Sequence, residues 1–125
     1  MAATGGYDAL SVRFSRHDET VVVHLAGELD VSTAPVLQNA LAGVIEAQGN
    51  LAVRLELGEM AFIDSTGLSI LAGALRRLRE KGGDLSLANI RPETLKVFDI
   101  VGFTGIFDIA PEPYGVVAKP GQPAA

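Results

Sequence analysis

Apolar and polar residues alternate along much of this chain, and where alternation stops a helical period replaces it. In "LSVRFS", Leu10, Val12 and Phe14 fall on one side and Ser11, Arg13 and Ser15 on the other, which predicts a half-buried strand. His17, Asp18 and Glu19 make a polar turn, and "TVVVHLAGEL" then reads as a β-branched central strand, so the pair predicts an antiparallel hairpin. Thr33 stands before Ala34 and Pro35 as a usable N-cap. Val36, Leu37, Ala40, Leu41, Val44 and Ile45 then recur at helical spacing until Gly49 and Asn50. "LAVRLEL" alternates again, with Leu51, Val53, Leu55 and Leu57 on one face. After "FIDSTG", Leu68, Leu71, Ala72, Leu75 and Leu78 predict a second amphipathic helix that stops at Gly82 and Gly83. "DLSLANI" is a further short strand, Pro92 opens a third helix carrying Leu95, Phe98 and Val101, and "IFDIA" reads as a short edge strand.

This order sets the fold class. A strand, a helix and a strand in succession form a right-handed parallel crossover, whereas the opening hairpin is antiparallel. A sheet covered on both faces has near-continuous apolar strands, and these strands keep polar residues on one side. The expected architecture is α/β: a mixed β-sheet of four to five strands with helices packed on one face. One domain over residues 10–110 accounts for the pattern, with an extension at 1–9 and a proline- and glycine-rich tail at 111–125.

Composition narrows the function classes. The 125 residues are 48% hydrophobic with a mean hydropathy of +0.30, which opposes intrinsic disorder. No apolar run is long enough for a membrane helix and no secretory signal is visible, so the expectation is a soluble cytoplasmic domain. With no cysteine there is neither a disulfide framework nor a thiolate nucleophile. A net charge of −5 opposes non-specific nucleic-acid binding. The local basic run of Arg76, Arg77, Arg79 and Lys81 suits the C-terminal end of a helix.

Catalytic chemistry finds little support. No glycine-rich phosphate loop of either common type is present. Ser65 sits at a strand-to-helix junction, but a nucleophile elbow needs glycine where Ile63 stands. His17 and His24 lack the spacing of a shared metal site, and His24 lies inside an apolar strand. No enzyme is expected, and no cofactor.

The junction itself carries two readings. Asp64 or Ser65 caps the helix, satisfying orphan N–H groups. Alternatively, Ser65 offers an exposed hydroxyl for phosphorylation, at a helix start that stabilises negative charge by about 0.3–1 kcal/mol. Parallel strands place their carboxyl ends on one sheet edge, so "GELD" and "FIDSTG" should bring Glu28, Asp30, Asp64 and Ser65 into one acidic lip. A partner docked there would meet a phosphate of charge about −1.5 to −2.

On "GELDVSTAPVL", "FIDSTGLSIL" and "GGDLSLANIRPETLKVFDIVGF", the chain resembles the STAS domains of bacterial anti-sigma factor antagonists, over about residues 10 to 109. The resemblance implies a non-enzymatic binding protein in a partner-switching pathway. It would hold an anti-sigma factor serine kinase until the kinase phosphorylates the motif serine, here Ser65, and a metal-dependent serine phosphatase would reverse this. ATP and metal would belong to those partners. Thr66 matches a position occasionally modified, and the implied partner-binding residues are Glu28, Asp30, Thr33, Asp64, Ser65, Thr66, Gly67 and Leu68. The alternative is a non-switching STAS scaffold or ligand-sensing subunit of a stress-signalling or transporter complex. Glu56 stands where the family usually has aspartate, and no binding role is assigned to it.

Overall fold

A computed structural model of the chain describes residues 9–48 and 52–109. The first eight residues, the helix stop at Gly49 and Asn50, Leu51 and the tail from Pro111 lie outside the described residues. Strands β1 (Leu10–His17) and β2 (Thr20–Leu29) form the expected hairpin, closed by Asp18 and Glu19 with Asp18 at φ 58°. Three crossovers follow: α1 (Ala34–Gln48) to β3 (Ala52–Ile63), α2 (Ser65–Glu80) to β4 (Asp84–Ala88), and α3 (Pro92–Ile100) to β5 (Asp108–Ile109). The sheet order is β1-β2-β3-β4-β5, antiparallel at the first pair and parallel thereafter. Each right-handed crossover steps to the next strand in the same direction, which puts all three helices on one face. The mixed sheet with helices on one side is as the alternation predicted.

The core lies between that face and the helices. Leu37, Leu41 and Ile45 of α1 and Leu68, Leu71, Leu75 and Leu78 of α2 bury against Val23 and Leu25 of β2, Val53 and Leu55 of β3, and Leu85 and Leu87 of β4. In α3, Phe98 is buried edge-on to Phe107, with ring centroids 5.7 Å apart. Val101, expected on the buried side of α3, is exposed, because that helix ends at Ile100 and Gly102 takes φ 80° beyond it.

The main departure from the sequence pattern is β3, which does not end at Leu57 but runs to Ile63. It does so through two irregularities. His24 and Ala26 of β2 pair with Glu56 and Glu59, and Gly27 and Glu28 pair with Met60 and Phe62, so β3 carries one extra residue in each interval. Each extra residue resets which side chains face the core. The buried positions therefore run Val53, Leu55, Leu57, Met60, Ile63 rather than strictly every second residue. The result brings the end of β3 level with the end of β2.

Candidate functional site

The two strand ends are joined directly. Leu29 and Ile63 are register partners, and the Asp64 N–H donates to the Leu29 carbonyl at 3.1 Å. From there the chain turns straight into α2. Asp64 is the N-cap, with φ −112° and ψ −174°, and its Oδ1 accepts the Gly67 N–H at 2.9 Å. The Leu68 N–H donates to the Asp64 carbonyl at 3.0 Å. Ser65 is the first helical residue, exposed, and its hydroxyl has no hydrogen-bond partner among the described residues. Of the two candidate caps, Asp64 does the capping and Ser65 is left at the surface. Thr66 beside it is half-buried.

Gly67 is required by packing. A Cβ built there would lie 2.7 Å from Leu29 Cγ, 2.9 Å from Leu29 Cδ2 and 3.0 Å from Ile63 Cγ1. The first turn of α2 thus sits on the ends of both strands at a separation only glycine permits. Leu68, 1% exposed, anchors the same turn in the core.

The β2 side of the edge is shaped by a second close approach. Gly27 has φ 110°, and the Glu28 N–H donates to the Ala9 carbonyl at 2.6 Å. Glu28 is exposed and Asp30 half-buried. The Asp30 carboxylate folds its own loop: Oδ1 accepts from the N–H groups of Ser32 at 2.9 Å and Thr33 at 3.1 Å. The Thr33 hydroxyl accepts the Asp30 N–H and donates to the Glu28 carbonyl, both at 2.9 Å. Thr33 therefore locks the end of β2 instead of capping α1 with its side chain, as its sequence position had suggested. Thr33 is only 1% exposed. Together with the buried Gly67 and Leu68 it shapes the expected contact surface without forming it. Glu28, Asp30, Asp64 and Ser65 lie at the paired ends of β2 and β3, and Thr66 follows in the first turn of α2.

Two residues at this edge were missed. Phe62, register partner of Glu28, is 49% exposed, and Val31, next to Asp30, is 69% exposed. Phe62 precedes a buried Ile63, and adjacent strand residues point to opposite faces, so the dipeptide "FI" held the signal. Single exposed apolar residues are ordinary, but two flanking the acids give the lip an apolar component.

Away from this edge, Ser15 on β1 is within hydrogen-bond distance of both His24 on β2, at 3.2 Å, and His17, at 3.3 Å. Among the described residues there is no group of three or more potential ligands for a metal ion, and no helix is long and apolar enough to cross a membrane.

Comparison with known proteins agrees with this arrangement. The family model for the STAS domain matches residues 11–114. The chain is 33% identical over 108 residues to an anti-sigma-B factor antagonist of Bacillus subtilis, covering 86% of this chain and 97% of that protein. It superposes on an anti-sigma factor antagonist from Mycobacterium paratuberculosis with a TM-score of 0.72 at 26% identity, covering 92% of this chain and 97% of the other. The Bacillus cell fate determinant SpoIIAA in its phosphorylated form aligns with a TM-score of 0.62 at 28% identity, over 82% of this chain and 93% of that one.

Proposed function

This chain belongs to the STAS domain family, and we propose that within it Ser65 is the residue whose phosphorylation releases an anti-sigma factor kinase. The protein is an anti-sigma factor antagonist of a phosphorylation-regulated, partner-switching system, a non-catalytic regulator that acts by binding. In its unphosphorylated form the edge built by Glu28, Asp30, Asp64 and Ser65 holds the kinase. A serine phosphatase returns the modified protein to that form.

One observation carries the assignment to Ser65. The cap of α2 is made by Asp64, so the neighbouring hydroxyl is exposed and has no structural duty. A phosphate placed there meets the positive end of a helix, where negative charge is tolerated within the fold. What it changes is the outward surface. Two unit charges of like sign about 4 Å apart, at an effective dielectric of about 20, repel by roughly 4 kcal/mol. Half of that exceeds the ~1.4 kcal/mol that lowers affinity tenfold. A single modification lowers affinity by more than tenfold.

The test is direct. The protein is incubated with ATP and each kinase-type anti-sigma factor of the same genome, and phosphate is located by mass spectrometry. Phosphate on Ser65, lost in Ser65→Ala, is the expected result. Phosphate confined to another residue, or acceptance from no such kinase, would remove Ser65 from the role.

A further inference from the structure

A second polar site lies on the face of the sheet turned away from the helices. Arg13, His24 and Glu56 stand in one cross-strand row there, Arg13 opposite His24 and His24 opposite Glu56. Beside the row is a cavity of about 140 Å³ whose lining includes Arg13, His24, Glu56, Gly58, Glu59 and Asn89. It sits where β3 takes its first extra residue, between the pairs His24–Glu56 and Ala26–Glu59.

The cavity is rigidly built. Asn89, at φ 60°, ends β4 and donates its Nδ2 to Glu56 Oε1 at 2.6 Å. Two residues on, Arg91 Nε donates to the Gly58 carbonyl at 2.7 Å, clamping the same loop onto the irregular part of β3. A Cβ on Gly58 would come within 3.3 Å of Asn89 Cβ, so the loop and strand are already in close contact. Glu56 is only 8% exposed, and its second oxygen, Oε2, is buried with no hydrogen-bond partner among the described residues. Buried polar side-chain atoms nearly always have a protein or water partner, so Oε2 is an acceptor still open to a donor from outside the chain.

The surroundings restrict what that ligand is. His24, Glu56 and Glu59 do not form a group able to hold a metal ion, and with Glu59 adding a second carboxylate to the lining a cationic N–H donor is the partner that best matches Oε2. Glu56 and Glu59 lie on β3 and Arg13 on β1, two strand spacings or roughly 10 Å away across the sheet. Acid at one end and guanidinium at the other match a molecule with an ammonium at one end and a carboxylate at the other. A volume near 140 Å³ admits only a small one. Arg13 and Glu59 are both exposed, so the rim of the cavity at these two residues faces solvent.

We propose that this cavity binds a small zwitterion of the α-amino acid class, its ammonium donating to Glu56 Oε2 and its carboxylate meeting Arg13. The site is separate from Ser65 and does not depend on phosphorylation there.

The experiment is a titration of the isotope-labelled full chain with alanine, followed by amide chemical shifts, with methylammonium and acetate as half-ligands. Alanine is expected to give saturable shifts centred on Gly58 and Asn89 in the millimolar range, with either half-ligand binding about tenfold more weakly or worse. Arg13→Ala and Glu56→Gln should each remove saturation. Arg13 is exposed, so its variant keeps the test valid should Glu56→Gln fail to fold. Absence of saturable shifts, equal binding of methylammonium and alanine, or unchanged alanine binding in Arg13→Ala would overturn the proposal.

Discussion

The Asp64 carboxylate accepts the Gly67 amide at 2.9 Å, and this bond separates the structural duty of Asp64 from the signalling duty proposed for Ser65. Asp64→Ala removes an N-cap and is expected to destabilise the protein by about 1 kcal/mol, whereas Ser65→Ala should stay within about 0.5 kcal/mol of the parent. Urea unfolding of the two variants checks the ordering. Equal losses would return a capping role to Ser65.

Gly67→Ala is a harsher change than its chemistry suggests. In an exposed helix the substitution gains up to about 1 kcal/mol. Here the added methyl would lie 2.7 Å from Leu29 Cγ, and relieving that overlap must displace the buried Leu29 side chain or α2. Overpacking of this kind costs about 1–3 kcal/mol, so a net loss of about 1–2 kcal/mol is expected in the same measurement. Because α2 carries Ser65, kinase affinity should fall as well.

How much of this could be read from the chain is clearest at β3. Parallel order alone placed "GELD" and "FIDSTG" on one edge, and alternation alone gave the helix-covered face. The continuation of β3 past Leu57 was hidden because its two extra residues break the period of two that marks a strand. Thr33 looked like a helix cap because residue type and position fit. Its real partners, the Asp30 amide and the Glu28 carbonyl, belong to the preceding strand end and follow from the tertiary bend. The choice between Asp64 and Ser65 as cap stayed open in the sequence, since both residue types cap equally well.

Asp30 joins loop geometry and surface charge in one residue, and two substitutions separate them. Asp30→Asn keeps an oxygen for the Ser32 and Thr33 amides, so stability should change by less than about 0.5 kcal/mol. Asp30→Ala leaves those amides without their acceptor and should cost about 1 kcal/mol. If the negative charge faces the kinase, the Asn variant alone changes affinity, read by calorimetric titration. Unchanged affinity in Asp30→Asn would confine this residue to folding its loop.

Phe62 is half exposed beside Glu28, and an aromatic side chain at a partner surface is a common anchor. Phe62→Ala is expected to weaken kinase binding by at least about 1 kcal/mol, or roughly fivefold, with less effect on stability than any substitution in the core. An affinity equal to the parent's would place the docking surface elsewhere on the edge.

Ser65→Asp tests the switch with the smallest charge that can stand in for phosphate. Aspartate brings about one negative charge where phosphoserine brings about 1.5 to 2, and it reaches less far. At the first position of α2 that charge is on the favourable end of the helix, so the thermal midpoint should hold within a few degrees. Kinase affinity should nevertheless drop about tenfold, because the added charge joins Glu28, Asp30 and Asp64 on the surface proposed to hold the kinase. Ser65→Asn, nearly the same shape without charge, should bind more tightly than Ser65→Asp. If both variants lose affinity equally, bulk at this position explains the release; if the midpoint collapses in either, the hydroxyl was holding the fold.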